Sequence, residues 1–469
     1  MDKSQSRKKI AIIGGGIAGS SIAMYLSEYD VDIDVFEQGT SLVNGPPICH
    51  LHAGGNLYRE ISDEQCITLL TESIDTVRYF PHTLNVRPTI IAIPKIDKGQ
   101  PEALLPRLKL LQTTYSDLIA KDQTNQVFGP ACDYFKTYSK KELQKIALRT
   151  PTNNPTTLDE WLIGFSNQVD LDQLKYPVVL VQEYGLSVFR MAATALLTLS
   201  SQNNVTLNFS SSVNGVLKET VNNDGWTLSY TQDKQLHSKK FDYVVNSAGF
   251  KTGIIDDLAN KPRKRLVEFK AAYVTHWNNN NYGKWPEIIF HGERGTPQGM
   301  AQFTPYPNGF FQLHGMTEEI TLFKNGLSGS CHLSAQPKLS EEFNKKIKEG
   351  WDKQVEEGRT LKAIAHLSQF MPEFIQATPA GKALYGAQQI PGDDVTLRAA
   401  NISYTPDGYF RAEIVKASSA ITCAKELGRL MQLEVKIKSA PVYTEKKIEL
   451  EAERLASERG YPIELAQIY

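Results

Sequence analysis

The stretch Ile10-Ala11-Ile12-Ile13-Gly14-Gly15-Gly16-Ile17-Ala18-Gly19 decides the fold. An apolar run short enough to be a buried strand leads straight into Gly14-x-Gly16-x-x-Gly19, and apolar residues at helical spacing follow over 17–28. The three glycines have separate tasks: a tight turn, close approach of backbone to a pyrophosphate, and close packing of helix on strand. The first helical residues, Ile17 and Ala18, then offer backbone N–H groups to the phosphate. Residues 31–36 alternate apolar and acidic side chains as a second strand does, and Glu37 ends that strand, followed by Gln38. An acid placed there accepts hydrogen bonds from an adenosine ribose and repels the 2′-phosphate of NADP. Strand, glycine loop, helix, strand and terminal acid in register predict a Rossmann-type dinucleotide site at the start of the chain.

Composition narrows the class of function. The chain has 469 residues with 51 Lys plus Arg against 52 Asp plus Glu, a formal net charge of −1, which argues against a general nucleic-acid or anionic-membrane binder. With 41% hydrophobic and 22% charged residues it reads as globular. Its length is that of two or three domains. No apolar run approaches the ~20 residues of a membrane span. The basic N-terminus is followed by too short an apolar stretch for a secretory signal. Five cysteines without CxxC spacing suggest neither a disulfide framework nor a thiolate metal site, and the expected location is cytoplasmic.

Beyond the glycine loop, 63–80 reads as an amphipathic helix and 86–93 as a strand. Residues 101–174 are mainly helical and polar, and short strands return from 178 onwards. A helix over 340–369 and helices over 418–433 and 445–459 complete the reading. The expected fold is α/β, with a Rossmann-type FAD-binding domain (1–85, 177–262 and 378–440) interleaved with an antiparallel-sheet substrate domain (86–100 and 263–377). A helical insertion (101–176) and a C-terminal helical tail (441–469) are added to it. No second GxGxxG stands in a βαβ setting, so the chain lacks the second nucleotide site that passing electrons from NAD(P)H to a flavin would need. A single flavin reduced directly by substrate is the expectation.

The run Val213-Asn214-Gly215-Val216, the segment Val244-Val245-Asn246-Ser247-Ala248-Gly249 and Tyr404-Thr405-Pro406-Asp407-Gly408, together with the N-terminal loop, resemble the D-amino acid oxidase superfamily of FAD-dependent oxidoreductases, the sarcosine and glycine oxidases among them. The turn Ile414-Val415-Lys416-Ala417-Ser418-Ser419-Ala420 is closer to the Ala-Ser-rich turn of malate:quinone oxidoreductases. The resemblance implies that Val213 contacts adenine through its backbone and that Ala248 and Gly249 lie beside the pyrophosphate and ribityl chain. It also implies that Lys416 and Ser418 approach the flavin. Sarcosine oxidases attach FAD through a cysteine just before Thr-Pro-Asp; Ala399-Ala400-Asn401 stands there in this chain, so non-covalent FAD is expected.

Hydride transfer to a flavin leaves orientation and charge to the protein. In the resembling family the loop after the ribose-binding strand passes the flavin, and His50, His52 and Arg59 occupy comparable places. A histidine there would hold an amine or hydroxyl in the right protonation state, and a guanidinium would fix a carboxylate by two hydrogen bonds. The bland alternative is that the histidines satisfy loop backbone and that Arg59 pairs with Glu60 or Glu64. His50-x-His52 lacks a third ligand, so no metal is expected, and Cys49 reads as a packed small side chain. Tyr306, His314, Arg398 and Arg411 are more distant candidates for the flavin's surroundings. The expected activity is oxidation of a small amine, amino acid or 2-hydroxy acid, with electrons passed to dioxygen or another acceptor. A quinone-linked hydroxy-acid dehydrogenase, with the membrane contact a quinone would require, is the first alternative. A flavoprotein acting on a carrier-bound or macromolecular substrate, or one without turnover, is the alternative of another class. Oligomeric state is not legible.

Overall fold

The computed structural model describes residues 7–48, 53–55, 58–219, 225–278, 283–400, 402–433, 436–439 and 441–469. Cys49, His50 and His52 lie outside the described residues, and so does Asn401.

The predicted βαβ unit forms as β1 (Lys8–Ile13), α1 (Ile17–Leu26) and β2 (Val31–Phe36). The inner residues of β1 are buried because the strand is parallel to both its neighbours and covered on both faces. Its partners are β2 on one side and Tyr243–Asn246 on the other. Val205–Asn208 extends the parallel sheet beyond β2, and Tyr409–Ala412 extends it beyond Tyr243–Asn246. Ile402–Thr405 adds an antiparallel edge, giving six strands. An antiparallel meander of Ser212–Lys218, Trp226–Gln232 and Gln235–Phe241 packs beside this sheet.

A second sheet of ten strands is built around Arg265–His276. All its pairings are antiparallel except that of Glu287–Phe290 with Thr89–Pro94. Its outer core is aromatic: Phe303 stacks on Phe311 with ring centroids 4.4 Å apart, and Phe374 meets the edge of Trp277 at 5.1 Å. The fold class is thus the expected one, a Rossmann-type layer with its strands scattered along the chain around an antiparallel-rich layer.

Details differ from the sequence reading for identifiable reasons. The stretch 101–176 supplies helices Leu105–Lys121, Lys140–Ile146, Leu158–Trp161 and Ile163–Gln168, but it also contributes the edge strand Phe135–Tyr138 and the start of Leu174–Val181 to the large sheet. The single helix expected over 340–369 is two, Glu341–Glu349 and Lys353–Ser368, because Gly350 takes φ +97° and ends the first.

The helix Asp63–Tyr79 is capped by Ser62, whose side chain accepts from the Gln65 N–H, and it packs against the helix Ser419–Leu430. At that contact Glu72 is buried and receives the Ser419 hydroxyl at 2.6 Å. Burial pushes its carboxyl up to about 7, with the Ser419 hydrogen bond opposing. Since the folded value lies above the ordinary 4.5, the stability of the neutral form is fully present below about pH 4.5 and is lost as pH rises through 7. Glu72→Gln, which cannot ionise, is therefore expected to gain about 3 kcal/mol of stability relative to the parent between low pH and pH 8, with the pH-dependent difference vanishing below about pH 4.5. Urea unfolding at the two pH values measures this, and a difference independent of pH would contradict it.

Candidate functional site

The glycine loop behaves as its spacing predicts. Gly14 adopts φ +102°, and a Cβ there would meet the Ser247 carbonyl oxygen at 2.5 Å. At Gly19 a Cβ would drive into the Gly14 carbonyl, so only glycine lets α1 start this close to β1. Gly16 is different: a Cβ would touch nothing within 4 Å, and the residue lines the space in front of the helix. As N-cap of α1, Gly16 provides no side chain to satisfy the first amides of the helix. Those amides, with Ile17 and Ala18 lining the same space, form an anion-binding end of the kind a pyrophosphate takes.

Two cavities of about 470 and 350 Å³ meet there, sharing Gly16, Pro46 and Gly249 among their walls. The larger holds Glu37, Gln38, Val213 and Ala248, so the residues expected to surround an adenosine and its phosphates are brought together. Glu37 accepts from the N–H groups of Gly15 and Gly39, each at 2.7 Å, which holds its carboxylate at the strand end. The Gln38 amide oxygen accepts from Lys251 Nζ at 2.8 Å. Gly249, at φ +58°, turns the chain out of its strand beside Gly16. These residues fit a dinucleotide: a glycine cradle that a Cβ would fill, helix amides behind it, and a carboxylate where ribose hydroxyls would lie.

The smaller cavity runs from Ile17 and Ala18 to a wall provided by the large sheet and the turn Ile414–Ala417. Lys270, Gln302, His314, Gln388 and Lys416 supply its polar groups. Lys416 Nζ donates to the Tyr58 hydroxyl, and the Arg398 guanidinium lies over the Tyr58 ring, 5.1 Å from its centroid. Burial raises the Tyr58 phenol above its ordinary value, against the lowering effect of Arg398 and Lys270. Lys270 pairs with Glu268 at 2.7 Å, and Glu268 also receives Arg294. Burial lowers the Lys270 ammonium from the ordinary lysine value, and the Glu268 carboxylate opposes this. On Glu268 burial pushes upward, but the Lys270 and Arg294 charges hold its carboxyl below the usual range.

The expected residues do not all gather here. Lys416 lines the cavity, but Ser418 is buried at the start of the helix Ser419–Leu430 and lines neither cavity. Arg59, expected to face a carboxylate, turns instead to Asp97 at 2.7 Å and to His291 Nδ1 at 2.9 Å. It thereby ties the loop to the large sheet, a third option that the pairing with Glu60 or Glu64 did not anticipate. His50 and His52 lie outside the described residues. Among the distant candidates His314 lines the cavity, whereas Arg411 is locked to Asp256 at 2.7 Å in a buried network.

Tyr58 and Lys270 are the residues that sequence reading passed over. Glu268-Phe269-Lys270 places two opposite charges on one face of an otherwise apolar strand, a legible sign of a polar site. Tyr58 carries no such signal. Arg107 of the helix Leu105–Lys121 holds it in place, donating to the carbonyls of Tyr58 and Ile61 at 2.7 and 2.8 Å, so the 101–176 stretch supports the cavity wall.

The glycine geometry separates binding from folding. Gly16→Ala is expected to leave thermal stability nearly unchanged while weakening FAD uptake roughly ten-fold or more, because its methyl enters only the cavity. Gly19→Ala is expected to cost about 1–3 kcal/mol of stability. Melting curves and flavin titration of both variants check this pair, and equal loss of stability in both would refute the division of roles.

The comparisons with known proteins agree with this geometry. A family model described as an NAD(P)-binding Rossmann-like domain matches residues 12–43. No curated protein matches the chain. Among solved structures, glycine oxidase from Geobacillus kaustophilus is similar over 94% of this chain and 100% of its own, with a TM-score of 0.57 at 12% identity. The dithionite-reduced, FAD-bound L-α-glycerophosphate oxidase from Mycoplasma pneumoniae gives 0.59 at 13% identity over 93% and 97%. The L-amino acid deaminase from Proteus vulgaris gives 0.57 at 12% identity over 96% and 97%. The chain therefore shares its overall fold with this glycine oxidase, glycerophosphate oxidase and amino acid deaminase.

Proposed function

We propose that this protein is an FAD-dependent oxidoreductase that oxidises a small amine, amino acid or 2-hydroxy acid by hydride transfer to non-covalently held FAD. The observation that carries the reading is the continuous space from Glu37, past the uncapped start of α1, to a wall bearing Lys270, Lys416 and Tyr58. A nucleotide end, a phosphate end and a reaction end lie in that order. The same fold in the glycine oxidase and the glycerophosphate oxidase supports the reading.

FAD bound there would supply the hydride acceptor, and the protein's part is binding, orientation and charge. Glu37 would accept ribose hydroxyls, and the amides of Ile17 and Ala18 would face the phosphates, since the Gly15 amide is already engaged by Glu37. Ile17, Ile48, Val188, Met300 and Met316 make much of the smaller cavity apolar, which excludes water from the reacting bond. Lys270 and Lys416 place positive charge at its wall, which favours a substrate bearing a carboxylate and stabilises negative charge as hydride is taken up. The Tyr58 hydroxyl, accepting from Lys416, would orient the substrate's amine or hydroxyl. Non-covalent attachment rests on Ala399-Ala400-Asn401, which stand where sarcosine oxidases carry the linking cysteine. Among the described residues no cluster of three metal-ligating side chains occurs, and no helix is long and apolar enough to cross a membrane. The acceptor is read as dioxygen or another acceptor, at a cytoplasmic location.

Acid precipitation is expected to leave the yellow colour in the supernatant, and colour in the pellet would refute non-covalent binding. Anaerobic mixing with a panel of amines, amino acids and 2-hydroxy acids is expected to bleach the flavin absorbance with at least one carboxylate-bearing member. In Lys270→Met the same substrate is expected to show a KM raised about ten-fold or more. Failure of the whole panel would overturn the reading in favour of a carrier-bound or macromolecular substrate.

A further inference from the structure

The turn after β2 is held in a conformation its sequence does not favour. Val43 is buried. Its backbone sits at φ +53°. A β-branched residue adopts that left-handed conformation only when its surroundings impose it. Two sets of contacts do so. On one side the Val43 N–H donates to the Gly15 carbonyl of the glycine loop at 2.8 Å. On the other, Arg459 donates to the Val43 and Leu42 carbonyls at 2.7 and 2.8 Å and approaches the Ser41 hydroxyl at 3.5 Å. Val43 lines the smaller cavity, and the two residues after Asn44, Gly45 and Pro46, line both.

Arg459 comes from the far end of the chain, where it ends the helix Glu445–Glu458. That helix packs on Val188–Ser200, and the Arg459 guanidinium lies 5.8 Å from the Phe189 ring centroid, within electrostatic reach of Glu37. Two residues on, Tyr461 lines the larger cavity beside Lys382, whose ammonium lies 4.9 Å from its ring centroid. The last residue, Tyr469, exchanges hydrogen bonds with the backbone of Trp285 in the large sheet, at 2.7 and 2.8 Å. The tail therefore runs from the nucleotide layer to the substrate layer, anchored at both ends, with its middle at the cavity mouth.

We propose that the C-terminal tail is part of the dinucleotide site: Arg459 is a positioning residue that clamps the Ser41–Val43 turn against the glycine loop, and Tyr461 closes the nucleotide end. The inference rests on the reading that this space holds FAD. A turn whose backbone disfavours its own conformation relaxes when the clamp is removed. The wall at Val43, Gly45 and Pro46 then shifts, and affinity for the nucleotide falls. Linkage requires the converse as well: if the tail favours bound nucleotide, bound nucleotide must protect the tail.

The test uses the full chain, stripped of flavin and titrated with FAD, with flavin fluorescence as one readout and amide hydrogen exchange as the other. Arg459→Ala is expected to weaken FAD binding roughly ten-fold or more, and Arg459→Lys, which keeps the charge but loses the fork, by less. Arg454→Ala, on the same helix but paired with Glu451 and Glu458 at the surface, is expected to bind as the parent does. In the parent itself, so that no variant need fold, FAD is expected to slow exchange at 459–466 together with 41–48. A parent that takes up no FAD sinks the functional reading, and this one with it. A parent that binds FAD while exchange at 459–466 is unchanged overturns this inference alone, as does an Arg459→Ala protein of parental affinity.

Discussion

Everything in this molecule that concerns a ligand depends on how closely α1 approaches β1. The helix begins against the strand because Gly19 presents no side chain to the Gly14 carbonyl, and Gly14 presents none to Ser247. Bringing the helix start so near the sheet aims its first amides into the space between the layers, and Gly16 leaves that space open. A capping side chain would have satisfied those amides and filled the cradle. The missing cap thus leaves the first amides of the helix without a side-chain partner at the cavity wall.

The second requirement is that two sheets of different construction keep a fixed distance across the cavity. A buried ionic network does part of this. Asp256, on the helix Thr252–Leu258, receives Arg265 from the large sheet, Arg411 from the parallel sheet at 2.7 Å, and the Tyr409 hydroxyl at 2.8 Å. Charges so deeply buried are tolerable only as a set, because removing any partner leaves another uncompensated. Gln388 reinforces the same junction by donating to the Val415 carbonyl at 2.8 Å, which holds the turn bearing Lys416 against the strand Leu384–Pro391. The Arg59, Asp97 and His291 group and the Arg107 fork then fix the loop carrying Tyr58 from the other side. The wall of the smaller cavity is thus built partly from loops, but each loop is tied to a rigid element by a polar or charged side chain.

How far the site could be read in advance followed the range of the interactions. Gly14, Gly16, Gly19 and Glu37 were legible because strand, turn, helix and acid follow one another directly in the chain and each leaves a local mark. Val213, on the meander strand Ser212–Lys218, and Ala248 and Gly249, which follow the strand Tyr243–Asn246 that pairs with β1, were reached through resemblance, because all three come from the middle of the chain. The pairing of Arg59 with Asp97 and His291 was not legible because both partners are distant in the chain. Lys270 left a sign that went unread, a charged pair on one face of a buried strand. Arg459 and Tyr461 left none: they follow the helix Glu445–Glu458, and the carbonyls that Arg459 meets, those of Leu42 and Val43, lie near the start of the chain.

By itself the sequence determined the Rossmann-type unit, the uncapped helix start behind its glycine loop, and the acid at the end of β2. These are consequences of glycine sterics and strand periodicity, which operate within one stretch of chain. Only the tertiary structure decided that Lys270 joins Lys416 at the smaller cavity, that Arg59 pairs with Asp97 and His291, that the 101–176 stretch supports Tyr58, and that Arg459 reaches the turn after β2. Those outcomes turn on which long side chains meet across the packed layers, and a guanidinium or ammonium on a flexible stem chooses its partner by proximity that only the completed fold creates.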